Sequence, residues 1–282
     1  MKFRLPTAQL FIPDDIEESA ALARTTHLAV SAHQDDIEIM AYSGILECFQ
    51  SDERWFAAVV TTNGSGSPRD DIYKDYTDDD MRVIRVKEQK KAAVVGEYAA
   101  QALLDYPSSK IKDGADRDAV EDLKAILLAA RPEVVYTHNL ADKHDTHVGV
   151  ALKLIQALRE IPADARPKQL LGCEVWRDLD WLSDDDKTPL DVSGHENLQA
   201  ALLGVFDSQI CGGKRYDLAT MGRRKAHATY FASHGVDTTT GLIFAMDLTP
   251  LMADPSIEPA AYVQGYIDRF AKEVSDRIRK LS

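Results

Sequence analysis

Four of the chain's eight histidines fall in two short, aspartate-rich stretches. The first is Ala32-His33-Gln34-Asp35-Asp36; the second runs His138-Asn139-Leu140-Ala141-Asp142-Lys143-His144-Asp145-Thr146-His147. Imidazole nitrogens and carboxylate oxygens are donors in hydrolytic zinc sites, which use about three protein ligands and leave a position for water. His33 and Asp36, three apart, together with His147 offer such a set. If Asp36 binds a metal, its neighbour Asp35 is free to accept a proton from an activated water. His144 lies about one helical turn before His147 and can share its face without being a ligand. That is the inventory for attack of water on an amide. Each piece alone has a plainer reading: a strand-end histidine as a hydrogen-bonding residue, and adjacent aspartates as a helix N-cap pair. Their joint occurrence is what points to a metal.

Both stretches sit where a strand ends and a helix begins. Residues 26–33 and 133–138 are short apolar runs suited to buried strands, and residues 36–50 and 145–159 carry helical spacing. A further strand is expected at 55–62, running into the Asn63-Gly64-Ser65-Gly66-Ser67-Pro68 loop. Residues 69–80 read as an ordered loop or lid, with the Asp78-Asp79-Asp80 run at a helix N-terminus. Helices are expected at 81–103, 116–130, 196–208, 216–232 and 259–281, and strands at 170–177 and 242–248. This alternation implies an α/β fold, a Rossmann-like, mostly parallel sheet with helices on both faces. Ligands in such sheets bind at the carboxyl ends of the strands, where both stretches fall. With no internal repeat or linker, the expectation is one domain over 1–282, a core of about 26–160 and a C-terminal elaboration of about 161–282.

Composition bounds the rest. Hydrophobic residues make up 45% and charged residues 28%, as in an ordinary globular chain. A net charge of −13 argues against nucleic acid, which needs clustered cations. No apolar run is long enough to span a bilayer. Residues 1–18 lack an apolar segment and carry four acids, so the expected location is the cytoplasm. Cys48, Cys173 and Cys211 form no paired motif and read as buried or incidental thiols. Gly64-Ser65-Gly66 lacks the context of a dinucleotide fingerprint. Trp176 and Trp181 read as packing residues with a sugar-stacking alternative, and Arg223-Arg224-Lys225 as a solvated helix face.

At the two chemical stretches the sequence resembles the PIG-L (LmbE-like) N-acetylglucosaminyl deacetylase superfamily, with its A-H-P-D-D-E segment after the first strand and a later H-P-D-H or H-x-x-H. Thr61 to Gly66 resembles the family's Thr- and Gly-rich loop, Arg85-Val86-Lys87-Glu88 its R-x-x-E, and Ser208-Gln209 its S-Q pair. The resemblance covers residues 26–160 well and the remainder loosely. It implies one zinc ion, or another divalent transition metal, held by His33, Asp36 and His147. Asp35 would be the general base, and His144 would stabilise the oxyanion or protonate the leaving amine. The implied reaction is deacetylation of a small N-acetylated amino sugar or its conjugate. Gln34 and Ile37 stand where the family has Pro and Glu, with Glu38 as a substitute acid, and the second motif reads His144-Asp145-Thr146-His147. Arg69, His138 and Asn139 are the expected substrate contacts. A metallo-amidase on a non-sugar amide, a phosphoesterase and a catalytically silent metal-binding protein are the competing readings. No nucleic-acid partner or membrane span is expected, and a homo-oligomer is left open.

Overall fold

The computed structural model describes all 282 residues. Eight strands form one sheet: β1 (Gln9–Phe11), β2 (His27–Ser31), β3 (Phe56–Thr62), β4 (Ala100–Tyr106), β5 (Val134–His138), β6 (Gln169–Cys173), β7 (Thr188–Asp191) and β8 (Leu242–Asp247). Their order is β1-β4-β3-β2-β5-β6-β8-β7. β4, β3, β2, β5 and β6 run parallel, and β1, β8 and β7 join as antiparallel neighbours. The chain lays β3 and β4 to one side of β2 and then β5 and β6 to the other. The order therefore reverses between β2 and β5, and the crevice of a doubly wound sheet opens there.

β2 alternates its side chains between two cores. Leu28 and Val30 pack with the helices Asp118–Ala130 and Asp145–Glu160, and Ala29 with Ile37, Tyr42, Ile45 and the helix Glu196–Gly204 on the other face. Covered on both sides, the central strands are buried along nearly their whole length.

Several elements differ from expectation. The helix expected over 81–103 is Asp78–Val95, and the chain re-enters the sheet as β4. Ala100-Gln101-Ala102-Leu103-Leu104 is made of good helix formers, but pairing with β3 on one side and β1 on the other overrides propensity. The helix expected over 36–50 is two, Asp36–Met40 and Tyr42–Cys48. Arg224 supplies the reason: its guanidinium donates to the carbonyls of Glu38 (2.8 Å) and Ile39 (3.0 Å), which an unbroken helix would have used itself. Arg224 is therefore a buried cap, not part of a solvated face. The helix expected over 196–208 is likewise split, into Glu196–Gly204 and Asp207–Ile210. The Asp78-Asp79-Asp80 run does open a helix, with Thr77 and Asp80 forming a capping box. No helix is long and apolar enough to cross a membrane.

Candidate active site

The exit of β2 is pinned from both flanks. Thr61 and Thr62 at the end of β3 donate their hydroxyls to the carbonyls of Ser31 (2.9 Å) and Ala32 (2.8 Å). From β5, Nε2 of His138 accepts the Ala32 amide at 2.9 Å. The chain then turns sharply through Asp35, whose φ is +96°. A non-glycine residue there costs about 1–3 kcal/mol, so its neighbours must hold it. Gln89 Oε1 accepts the Asp35 amide (3.3 Å), and the Arg85 guanidinium pairs with the carboxylate (3.2 Å). Arg85 also donates to the Gln34 carbonyl and the Ser67 hydroxyl, tying the β2 exit to the glycine loop. At Gly64, φ is +67° and a Cβ would stand 2.2 Å from Gln34 Oε1, so only glycine fits.

Three donor atoms converge beyond this turn. His33 Nδ1 lies 3.3 Å from Asp36 Oδ2 and 3.2 Å from His147 Nε2, and the last two are 3.4 Å apart. Nitrogen and oxygen ligands at 2.0–2.1 Å in a tetrahedron are separated by about 3.3 Å. The three atoms thus form one face of a site sized for such an ion. His147 is aimed from behind: its Nδ1 faces Asp142 Oδ2 at 3.3 Å, leaving Nε2 to point inward. His33 with His144 and His147, and Asp36 with His138 and His147, also gather ligand atoms. His138 is poorly suited, because the Ala32 amide already occupies its Nε2 lone pair. The residues fit one metal, and His33, Asp36 and His147 bring their donor atoms within 3.2–3.4 Å of one another.

The charges agree with this geometry. Burial opposes ionisation of Asp36, but His147, His138 and His33 outweigh it and hold its carboxyl far below the usual range. Burial opposes a charge on His147, yet Asp36 and Asp142 together raise it. Burial lowers His33 and His144, favouring neutral imidazoles. For Asp35, burial pushes the carboxyl up and Arg85 works against that rise.

A cavity of about 440 Å³ opens over this cluster. His33, Asp35, Asp36 and His144 line it, together with Arg85, Gly64, Ser67 and the aromatic pair Trp176 and Tyr216. His147 is fully buried beneath it. The three residues expected to touch substrate lie elsewhere. His138 is fully buried and stacks on His147 with ring centroids 3.9 Å apart. Asn139 spends its side chain on the carbonyls of Cys173 and Arg177 and the amide of Ala141. Arg69 turns to the Ser65 carbonyl and Asp78, within its own loop. Glu38 also lies off the cavity. Its carboxyl accepts from Gln89 (2.9 Å) and Tyr98 (2.8 Å), burial pushes it up to about 7, and Ile37 packs in the core.

Other motif residues meet across the fold. Glu88 accepts the Ser208 amide (2.7 Å) and hydroxyl (2.6 Å), which sets Gln209 in the cavity wall. Asp142 orients His147, and its place inside the histidine segment is the one sign of that role in the sequence. Gln209 belongs to the Ser208-Gln209 pair that the resemblance picks out, whereas Lys214 and Tyr216 reach the cavity from residues whose sequence carries no local sign of it.

Residues 28–158 match the model of the PIG-L family, described as GlcNAc-PI de-N-acetylase. They form a PIG-L family domain. The matched residues are similar to a family of de-N-acetylases. The solved structures it resembles include GalB, the 4-carboxy-2-hydroxymuconate hydratase of Pseudomonas putida KT2440 (TM-score 0.60, 17% identity, 79% of this chain and 96% of that one). Another is the N,N'-diacetylchitobiose deacetylase of Pyrococcus horikoshii (TM-score 0.59, 15% identity, 78% and 83%). A third is the A40926 pseudoaglycone deacetylase Dbv21 (TM-score 0.58, 15% identity, 79% and 97%). At these identities the likeness is one of fold, and a hydratase shares it with deacetylases, so the chemistry must be argued from side chains. No curated protein matches the PIG-L domain or the remaining chain in sequence.

Proposed function

We propose that the chain is a zinc-dependent N-deacetylase acting on an N-acetylated amino sugar or its conjugate, with His33, Asp36 and His147 holding one ion. The observation that carries this reading is the convergence of His33 Nδ1, Asp36 Oδ2 and His147 Nε2 within 3.2–3.4 Å, beside Asp35 and His144 in one cavity. A divalent ion there supplies Lewis acidity to an acetyl carbonyl and acidifies a water.

The protein's own groups do the rest. Asp35 accepts the proton of the attacking water, its carboxylate kept in place by Arg85. His144 lines the cavity and its Nδ1 has no hydrogen-bond partner. Its ring N–H donates to the carbonyl oxygen as negative charge builds, and the proton that Asp35 took from the water passes on to the departing amine. Trp176 and Tyr216, ring centroids 5.8 Å apart, give the cavity an aromatic wall suited to a sugar ring.

The test is to purify the protein, measure bound metal, and assay acetate release across a panel of N-acetylated amino sugars and non-sugar amides. One ion per chain, lost in His147→Ala, and release from the sugars are expected. A metal-loaded protein that frees acetate from none of them would overturn the deacetylase reading, and equal metal in His147→Ala would overturn the ligand set.

A further inference from the structure

The cavity holds two lysines that nothing in the protein neutralises. Lys112, exposed at the end of the helix Ser108–Lys112, and Lys214, half-buried before the helix Tyr216–Tyr230, both line it. Neither side chain makes an ion pair or a hydrogen bond, although acids lie close in sequence. Lys110 takes Asp116 and Asp118, and Arg215 takes Asp217. Lys214 instead lies over the Trp176 ring, 5.2 Å from its centroid, which fixes the ammonium at the aromatic wall.

The other charges in the cavity are already matched. Asp35 faces Arg85, and Asp36 faces His147 and accepts the His33 amide. With those pairs set aside, the free charge left in the cavity wall is that of the two ammonium groups. Resting on the deacetylase reading, we propose that the substrate is an N-acetylated amino sugar bearing an anionic group, held by Lys112 and Lys214 while its acetyl group meets the histidine cluster. A cavity of about 440 Å³ suits a ligand of that size. Phosphate and carboxylate share the required chemistry: oxygens that accept charge-assisted hydrogen bonds from ammonium groups.

Binding tests this without requiring turnover. The zinc-loaded Asp35→Asn protein is titrated calorimetrically with N-acetylglucosamine, its 1-phosphate, its 6-phosphate and N-acetylglucosaminuronic acid. At least one anionic form should bind about 4- to 25-fold more tightly than the neutral parent, each lysine contact being worth about 2- to 5-fold. The preference should shrink with added salt. It should collapse in Lys112→Gln/Lys214→Gln and persist in Lys112→Arg/Lys214→Arg. Preference for the phosphates alone or the uronate alone names the group. No anionic form binding more tightly than the parent overturns the proposal, and so does a preference that survives the double glutamine variant, which would place the anion on the metal. Acetate release by the wild-type protein is followed separately, so a failure of the deacetylase reading shows there and not in the binding ratio.

Discussion

Asp142→Asn tests whether the site is built around an inward-facing His147. The Asp142 carboxylate receives three N–H groups: His147 Nδ1 (3.3 Å) and the Trp176 amide (3.1 Å) on Oδ2, and the His144 amide (3.1 Å) on Oδ1. All three are donors, so an asparagine cannot replace the aspartate without turning its own NH2 towards one of them. The least costly choice keeps the amide oxygen where Oδ2 was and sets NH2 against the His144 amide. That leaves one buried donor facing another, at about 1–3 kcal/mol, and removes the negative charge behind His147. Loss of such a partner typically lowers metal affinity about 10- to 100-fold, or roughly 1.4–2.8 kcal/mol. Zinc affinity is read by competition with a chromogenic chelator, and the fold by circular dichroism and thermal melting. A folded Asp142→Asn protein with a zinc Kd within about twofold of wild type would refute the reasoning, because His147 would then need no partner to present Nε2.

Three further outcomes follow from named contacts. Asp35→Asn keeps the metal, since Asp35 is not among the three converging donors, but lowers kcat by about 10²- to 10⁴-fold; turnover at the wild-type rate would place the base elsewhere. Arg224→Met leaves the Glu38 and Ile39 carbonyls and Gln199 Oε1 without their donor, and denaturant titration should show a loss of about 3–5 kcal/mol. Glu160, held down to about 2 by Arg117 and Lys124, contributes stability above its ordinary value of 4.5 and loses it as pH falls through 2. Glu160→Gln should therefore destabilise by under about 1 kcal/mol at neutral pH, with no difference left near pH 2; a gap that widens in acid would contradict the sign.

The legible part of the sequence was the part where type and place coincide. β2 and β5 are short, largely apolar segments, and the histidines and aspartates fall at their ends, so both the strands and the chemical cluster are legible locally. β4 could not, because Ala, Gln and Leu become a strand only between two others. Arg224 looked like a charged surface residue, and only the split between two helices 185 residues away reveals a cap. Arg69, His138 and Asn139 were placed in the cavity by nearness in sequence. In the fold their polar atoms are spent on the backbone that shapes the site. In the cavity's far wall, Trp176 and Gln209 carry a sign in the sequence, but Lys214 and Tyr216 sit in a segment with no local pattern that marks them as ligand-facing.

Adjacent side chains on an extended chain point to opposite faces, and yet both Asp35 and Asp36 line the cavity. The positive φ of Asp35 is what reconciles the two facts. A glycine at this position would remove the strain but also the carboxylate, so the turn is kept at a cost and secured from outside by Gln89 and by Arg85, which ties it to Ser67. Those securing residues come from the helix Asp78–Val95 and the loop after β3, not from the two stretches that carry the chemistry. The R-x-x-E pattern has the same logic. Arg85 holds the catalytic turn while Glu88, about one helical turn on, holds Ser208 and with it Gln209 in the opposite wall. One helix thereby sets the distance between the reacting groups and the surface that receives the substrate. Changes at residues 85–89 should for that reason disturb both at once, whereas changes at Lys112 or Lys214 act on the receiving surface alone.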